Sequence, residues 1–333
     1  MLQKGDAKAA AALFEQALAT RRTLLGRAHP DIADSEFNLG TALRRSGERE
    51  RAVQLIGDAL SMQRTLLGAR HPAVANSLNS LAVIAFEQGD LDSAITRLRE
   101  ALDVARAAYG SRHATVATML NNLAAMQRMA GRYDEAEASA RDAVGTTIAA
   151  VGHDHYLVGV ARLGLGGVLA DRGDYAAALD ELRTAGALLA AGLGTEHQDT
   201  LLARAALSNV LRESGHIADA RKEADATLAM AEHAFPAGHP RLGRIRLTAL
   251  LAAVDDHDCA RAQALMETAE PELAKSGAAG RVDRVWLALA RARCLRASHS
   301  SESAAAASRA RAEFAALPFA PPALAAAART LER

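Results

Sequence analysis

The sequence has few aromatic residues. They make up 3% of the 333 residues, although hydrophobic residues together reach 50%. Alanine and leucine therefore supply most of the apolar surface. Alanine is the best helix former, whereas strands favour β-branched and aromatic residues, so this composition argues against a sheet and predicts closely packed helices.

The sequence also lacks an excess of either charge. It has 39 basic and 39 acidic residues, and lysine occurs only at Lys4, Lys8, Lys222 and Lys275. Proteins that bind duplex nucleic acid usually carry a basic excess, so nucleic acid is not expected as a partner. Arginine suits carboxylate recognition better than lysine, but an arginine bias can equally be genomic.

Long apolar runs and cysteine clusters are missing as well. No stretch reaches 18 uncharged apolar residues, and the N-terminus has Lys4, Asp6 and Lys8 where a signal peptide needs an apolar run. Cys259 and Cys294 form neither a CxxC pair nor a disulfide framework, which fits a reducing compartment. These absences predict a cytoplasmic protein with no membrane contact.

A repeat with a period of 42, the step from His29 to His71, runs through most of the chain. Its histidine column is His29, His71, His113, His155, His197 and His239. Glycine, leucine and alanine columns keep the same step at Gly47, Gly89, Gly131, Gly173 and Gly215, at Leu39, Leu81, Leu123, Leu165 and Leu207, and at Ala52, Ala94, Ala136, Ala178 and Ala220. Several columns in one register exclude a chance pattern.

Each period predicts two helices. The first begins just after the histidine, where Pro72 suits a first turn whose N–H groups have no helical partner. It ends near Gly89, since glycine adopts the left-handed conformation without steric cost. The second helix has apolar residues at i, i+3, i+4 and i+7 and ends at Gly110.

These columns resemble the tetratricopeptide repeat. The resemblance includes the small residues that follow the leucine column, Gly40, Ala82, Ala124, Gly166 and Ser208. The usual tetratricopeptide period is shorter, at about 34 residues. A period of 42 with a G-x-x-H-P loop is similar to the kinesin-light-chain type, strongly over residues 5–236 and weakly to residue 317. The resemblance implies an all-α, right-handed superhelical solenoid of antiparallel helix pairs.

The register predicts a single elongated domain over residues 1–333. It comprises a half repeat at 1–25, five regular repeats at 26–235, two degenerate repeats at 236–317 and a capping helix at 318–333. Because Gly5, Ala10 and Ala17 are in phase with the second helices, the sequence opens on a helix that lacks its partner. We expect an upstream continuation in a larger signalling or regulatory protein; a start codon chosen too late would give the same pattern.

Candidate sites for catalysis or metal binding are weak. Six histidines on successive loops cannot converge on one zinc ion, so a structural role as helix caps is expected. His153, Asp154 and His155, or His257, Asp258 and Cys259, offer too few ligands for a metal held by one loop. No G-x-S-x-G or Walker A motif is present. We expect no catalytic residue, metal or cofactor.

The resemblance implies a peptide-binding groove lined by the first helices. Its expected residues are Asp34, Phe37, Asn38, Thr41, Arg45, Asn76, Asn79, Ser80, Val83, Thr118, Asn121 and Asn122, with Asn209 in a later repeat. Asparagine both donates and accepts, so a row of asparagines can hold the backbone of an extended peptide. The alternative is that these amides face solvent or brace the neighbouring helix.

The sequence thus predicts a non-enzymatic scaffold that binds a protein or peptide in this groove. Arg44, Arg128 and Arg212 recur beside it. They either pair with acidic residues of a ligand, or they are solvated or link neighbouring repeats. Self-association through an open N-terminal face is the alternative function. A metal-binding or catalytic protein is a third and weaker alternative.

Overall fold

The computed structural model describes residues 4–274, 280–317 and 320–331. These residues form sixteen α-helices and no strand. The helices are α1 (Lys4–Leu25), α2 (Pro30–Ser46), α3 (Arg49–Leu67), α4 (Pro72–Gln88), α5 (Leu91–Tyr109), α6 (Ala114–Met129), α7 (Tyr133–Val151), α8 (Tyr156–Asp171), α9 (Tyr175–Leu193), α10 (Gln198–Glu213), α11 (Ile217–Ala234), α12 (Pro240–Asp255), α13 (Cys259–Ala274), α14 (Arg281–Ala297), α15 (Ser303–Ala315) and α16 (Pro322–Arg329). The predicted all-α helix-pair fold is confirmed.

The helices belong to two compact units. The first runs to Ala130 and includes Gly145–Ala150; the second comprises Gly131–Val144 and the chain from Val151 onwards. In the first unit each helix from α1 to α6 packs on the next, and in the second unit α8 to α13 do the same. The interpretation of the chain as one continuous domain stays a prediction.

The repeated histidines cap the first helices. In all six, Nδ1 accepts a hydrogen bond from the backbone N–H two residues later, with N···N distances of 3.1–3.3 Å. At α4, His71 has an extended backbone with ψ 142°, and Pro72 follows in the first turn. The predicted capping role is confirmed.

Small residues let the two helices of a repeat approach closely. The alanines of the column from Ala52 to Ala220 are all fully buried. A Cβ at Gly40 would lie 2.6 Å from Ile56 Cγ1, and one at Gly166 would lie 2.7 Å from Leu182 Cγ. The small-residue column therefore marks the points where the first and second helices touch.

The left-handed turn of the repeat continues beyond the last glycine of its column. Gly47 and Gly89 end their helices with φ values of 99° and 87°, in the left-handed region. In the last two repeats the same position carries His257 and His299, whose φ values are 60° and 52°. The turn is thus preserved in the degenerate repeats even though glycine is not.

The two cysteines form one cross-link, which their sequence context did not predict. Cys259 at the start of α13 and Cys294 in α14 form a disulfide, with their Cα atoms 5.4 Å apart. The pairing joins residues 35 positions apart, which only the packing of α14 on α13 brings together. Cysteine usage therefore no longer supports a reducing compartment.

None of the helices in the described residues combines the length and the apolar character needed to span a bilayer.

Candidate functional site

The exposed faces of α2, α4 and α6, which we call the first-helix surface, carry all but one of the expected groove residues. Asp34, Asn38, Arg45, Asn76 and Thr118 are exposed, whereas Phe37, Thr41, Asn79, Ser80, Val83, Asn121 and Asn122 are half-buried. Asn209 is also half-buried and lies on α10, in the second unit. Most of the expected residues are therefore within reach of a ligand.

Two of the expected asparagines meet across neighbouring repeats. Asn122 Nδ2 on α6 donates to Asn79 Oδ1 on α4 at 3.5 Å. Within the described residues, Asn79 Nδ2 and Asn122 Oδ1 have no hydrogen-bond partner in the protein. The pair thus keeps one donor and one acceptor, the two groups that a peptide backbone needs.

Thr41 and Asn209 are less suited to contact a ligand. The Thr41 hydroxyl oxygen is buried and, among the described residues, has no hydrogen-bond partner. Asn209 Nδ2 donates to Thr248 Oγ1 at 3.4 Å, and its Oδ1 is buried. The polar groups of both side chains therefore point at least partly into the protein.

Two of the three recurring arginines link neighbouring repeats. Arg44 pairs with Glu87 in the first unit, and Arg212 pairs with Asp255 at 3.0 Å in the second. Both pairs join residues 43 positions apart. For Arg44 and Arg212 the structure thus supports the inter-repeat alternative.

The same spacing shows how these partners can be found from sequence. Asn79 and Asn122 are also 43 positions apart. A residue on one first helix therefore meets the residue one period plus one position later. The sequence interpretation left an inter-repeat role of these arginines open, but it did not name Glu87 and Asp255 as their partners, because the additional step depends on how the repeats stack.

A polar and aromatic cluster lies around Arg212 in the second unit. The Arg212 side chain is only 8% exposed, and its guanidinium lies 5.2 Å from the centre of the Trp286 ring. Burial raises the pKa of Tyr175, and the nearby Glu213 carboxylate raises it further. Since Arg212 already pairs with Asp255 and Glu213, this cluster holds the helices together.

In each of the two short histidine-containing clusters, one residue has a structural role. His155 Nδ1 accepts from Leu157 N at 3.2 Å, and Cys259 is in the disulfide. Among the residues that the structure describes, no group of three histidine, cysteine, aspartate or glutamate side chains is arranged to hold a metal ion.

Family models agree with this architecture. Two models, each described as tetratricopeptide repeat, match this chain: one at residues 1–65, 57–107 and 73–147, the other at residues 200–241. The chain belongs to the tetratricopeptide repeat family. Repeats of this family generally mediate protein–protein interactions. A search of curated proteins found no sequence match.

Solved tetratricopeptide-like structures share the fold at low sequence identity. A kinesin light chain from P. anserina with nearly identical TPR-like repeats is 20% identical with a TM-score of 0.54, over 61% of this chain and 96% of that one. The apo quorum sensor NprR from B. thuringiensis is 14% identical with a TM-score of 0.68, over 92% of this chain and 83% of that one. A Rap protein complexed with Competence and Sporulation Factor is 14% identical with a TM-score of 0.63, over 96% of this chain and 86% of that one.

Proposed function

We propose that this tetratricopeptide repeat protein is a non-enzymatic scaffold that holds an extended peptide segment of a partner along the first-helix surface. The observation that carries the proposal is the Asn79–Asn122 pair, which is half-buried and retains one free amide donor and one free acceptor. A backbone N–H and C=O of an extended peptide match these two groups, so binding depends on the main chain more than on side chains.

The surroundings of the pair favour a polar, extended ligand. Asn38, Asn76 and Thr118 are exposed on the same three helices and add further donors and acceptors. The solved Rap structure supports the proposal by analogy, because that protein is complexed with Competence and Sporulation Factor.

A peptide selected from a random display library tests the proposal. Its affinity is measured by fluorescence polarisation for the wild type and for Asn79→Ala/Asn122→Ala. We expect a loss of about tenfold or more, since two hydrogen bonds at about 1 kcal/mol each are removed. N-methylation of the peptide at its central amides should weaken binding, because it removes the N–H that Asn122 Oδ1 would accept, whereas most side-chain replacements should be tolerated.

The matched control removes two amides elsewhere. Gln16 on α1 and Gln54 on α3 are exposed side chains of second helices, so Gln16→Ala/Gln54→Ala should bind like the wild type. Equal affinity of the wild type and Asn79→Ala/Asn122→Ala for every selected peptide would refute the groove assignment.

Self-association through α1 is a second candidate. Leu13 and Leu24 on this helix are 67% and 75% exposed, and Ala17 is exposed although Ala59 at the equivalent position is fully buried. Light scattering should show an oligomer that Leu13→Ser/Leu24→Ser dissociates, while Leu66→Ser on α3 leaves it intact. A wild type that stays monomeric at millimolar concentration excludes this candidate.

A further inference from the structure

Helix α14 attaches the last two helices to the rest of the second unit. Leu287 and Ala290 on this helix pack into a core formed with α10 to α13. Val285 and Leu289 pack into a separate core with α15 and α16. Among the described helices, α15 packs mainly on α14, and α16 makes fewer contacts, with α14 and α15. The attachment of α15 and α16 therefore depends on how firmly α14 is held.

One covalent bond holds α14 to α13. Cys259 is the first residue of α13, and Cys294 lies in the last turn of α14. They are the only two cysteines of the sequence, so no other pairing within the chain competes. Neither residue is fully buried. Exchange requires that a small thiol reach one of the two sulfur atoms.

Polar contacts beside the disulfide depend on the same placement of α14. Arg293, next to Cys294, pairs with Asp255 of α12, and Asp255 also pairs with Arg212 at 3.0 Å. Arg212 in turn lies over the ring of Trp286, two turns before Cys294 on α14. A shift of α14 would therefore disturb both the ion pairs and the environment of Trp286.

We propose that the Cys259–Cys294 bond is a reversible redox clip that sets how firmly α14, and with it α15 and α16, is attached to the second unit. This role rests on contacts of the second unit and is independent of peptide binding by the first. The co-reactant is a low-molecular-weight thiol and its disulfide.

The chemistry of the clip is thiol–disulfide exchange. A small thiolate attacks one cysteine sulfur, and the other cysteine leaves as a thiolate that takes up a proton. A second small thiolate attacks the mixed disulfide, releases the remaining cysteine and forms the small-molecule disulfide. The protein gains two electrons and two protons while two small thiols are oxidised; closing the clip is the reverse reaction.

Trp286 reports on the clip because it is the only tryptophan of the chain. The full chain is treated with glutathione disulfide or with dithiothreitol, and heat unfolding is followed by its fluorescence. Reduction should lower the unfolding midpoint by about 5–10 °C, the effect expected for a disulfide that closes a loop of this size. Amide exchange should rise in α14 to α16 and stay unchanged in α2 to α6.

The variant Cys259→Ser/Cys294→Ser should unfold at the same midpoint as the reduced wild type, and dithiothreitol should not change that midpoint. The wild-type comparison needs no substitution, so it stands even where this variant folds poorly. Equal midpoints and equal exchange in the oxidised and reduced wild type would overturn the proposal. Two titratable thiols in natively folded protein after glutathione disulfide treatment would overturn it as well.

Discussion

The cap histidines show how one kind of side chain can cap the first helices of six successive repeats. Serine, threonine, aspartate and asparagine usually supply the acceptor at the start of a helix. Here the imidazole Nδ1 does so, which requires that this atom carry no proton and that the neutral ring hold its proton on Nε2. At His71, for example, Nδ1 receives the N–H of Ala73 at 3.2 Å. The histidine column is therefore explained without a ligand.

Replacing one cap histidine should lower stability without affecting binding. We expect His71→Ala to reduce the free energy of unfolding by about 1 kcal/mol, because an N–H of the first turn of α4 loses its acceptor. Urea denaturation measures the change. His153→Ala is the control, since His153 is exposed in the loop before α8 and caps no helix. Equal losses in the two variants would contradict the capping role.

The left-handed backbone conformation of His257 and His299 lowers the stability of the folded protein. His257 has φ 60°, a conformation that disfavours residues with a Cβ. His257→Gly should therefore raise the free energy of unfolding by up to about 1 kcal/mol. Gly89→Ala is the reciprocal change: a Cβ there meets no atom within 4 Å, so a loss of about 1 kcal/mol would come from the backbone alone. Changes of the same sign in both variants would be inconsistent with this account.

At the scale of the helix, the close approach of α8 and α9 leaves no room for an added methyl group at Gly166. A Cβ at Gly166 would lie 2.7 Å from Leu182 Cγ, whereas one at Gly186 in α9 would meet nothing within 4 Å. Gly166→Ala should destabilise the protein by about 1–3 kcal/mol through overpacking. Gly186→Ala should stabilise it by about 0.5–1 kcal/mol through helix propensity. Thermal unfolding of both variants tests the opposite signs.

Helix boundaries were predictable because their signals are local. The segment from His71 to Gly89 carries its cap, its first-turn proline and its left-handed glycine within the helix it delimits, and α4 spans Pro72–Gln88. Contacts between first helices were an alternative in the sequence interpretation, but the residues that meet were not predicted, because they depend on how one repeat stacks on the next. Asn79 and Asn122 meet because stacking offsets equivalent positions by one residue.

The disulfide likewise could not be predicted from local sequence signals, because it joins two different helices. Cys259 and Cys294 lie on α13 and α14, and their sequence context carries no pairing signal. Only the position of α14 beside the start of α13 brings their Cα atoms to 5.4 Å. The expected groove residues come from the family resemblance and stay a prediction. Which of them keep free polar groups depends on side-chain packing, as Thr41 and Asn209 show.

At the scale of the whole molecule, the balance of 39 basic and 39 acidic residues governs its behaviour in solution. The isoelectric point of the sequence is about 7.2, so net repulsion between molecules vanishes near neutral pH. We expect the solubility to be lowest close to pH 7 and to rise at lower and at higher pH. Added salt should make this minimum less deep. Light scattering between pH 5 and 9 measures it; a minimum below pH 6 or above pH 8 would contradict the expectation.

The constant period also determines which changes in chain length this protein tolerates. Removing one whole period, from Leu55 in α3 up to the residue before its equivalent Arg97 in α5, joins two halves of the same helix type. The caps, the left-handed turns and the buried alanines then continue in phase. A deletion that is one residue longer or shorter instead turns the rest of that helix by about 100° and points its alanines at solvent. Duplication or loss of whole repeats would therefore lengthen or shorten the array while keeping its fold.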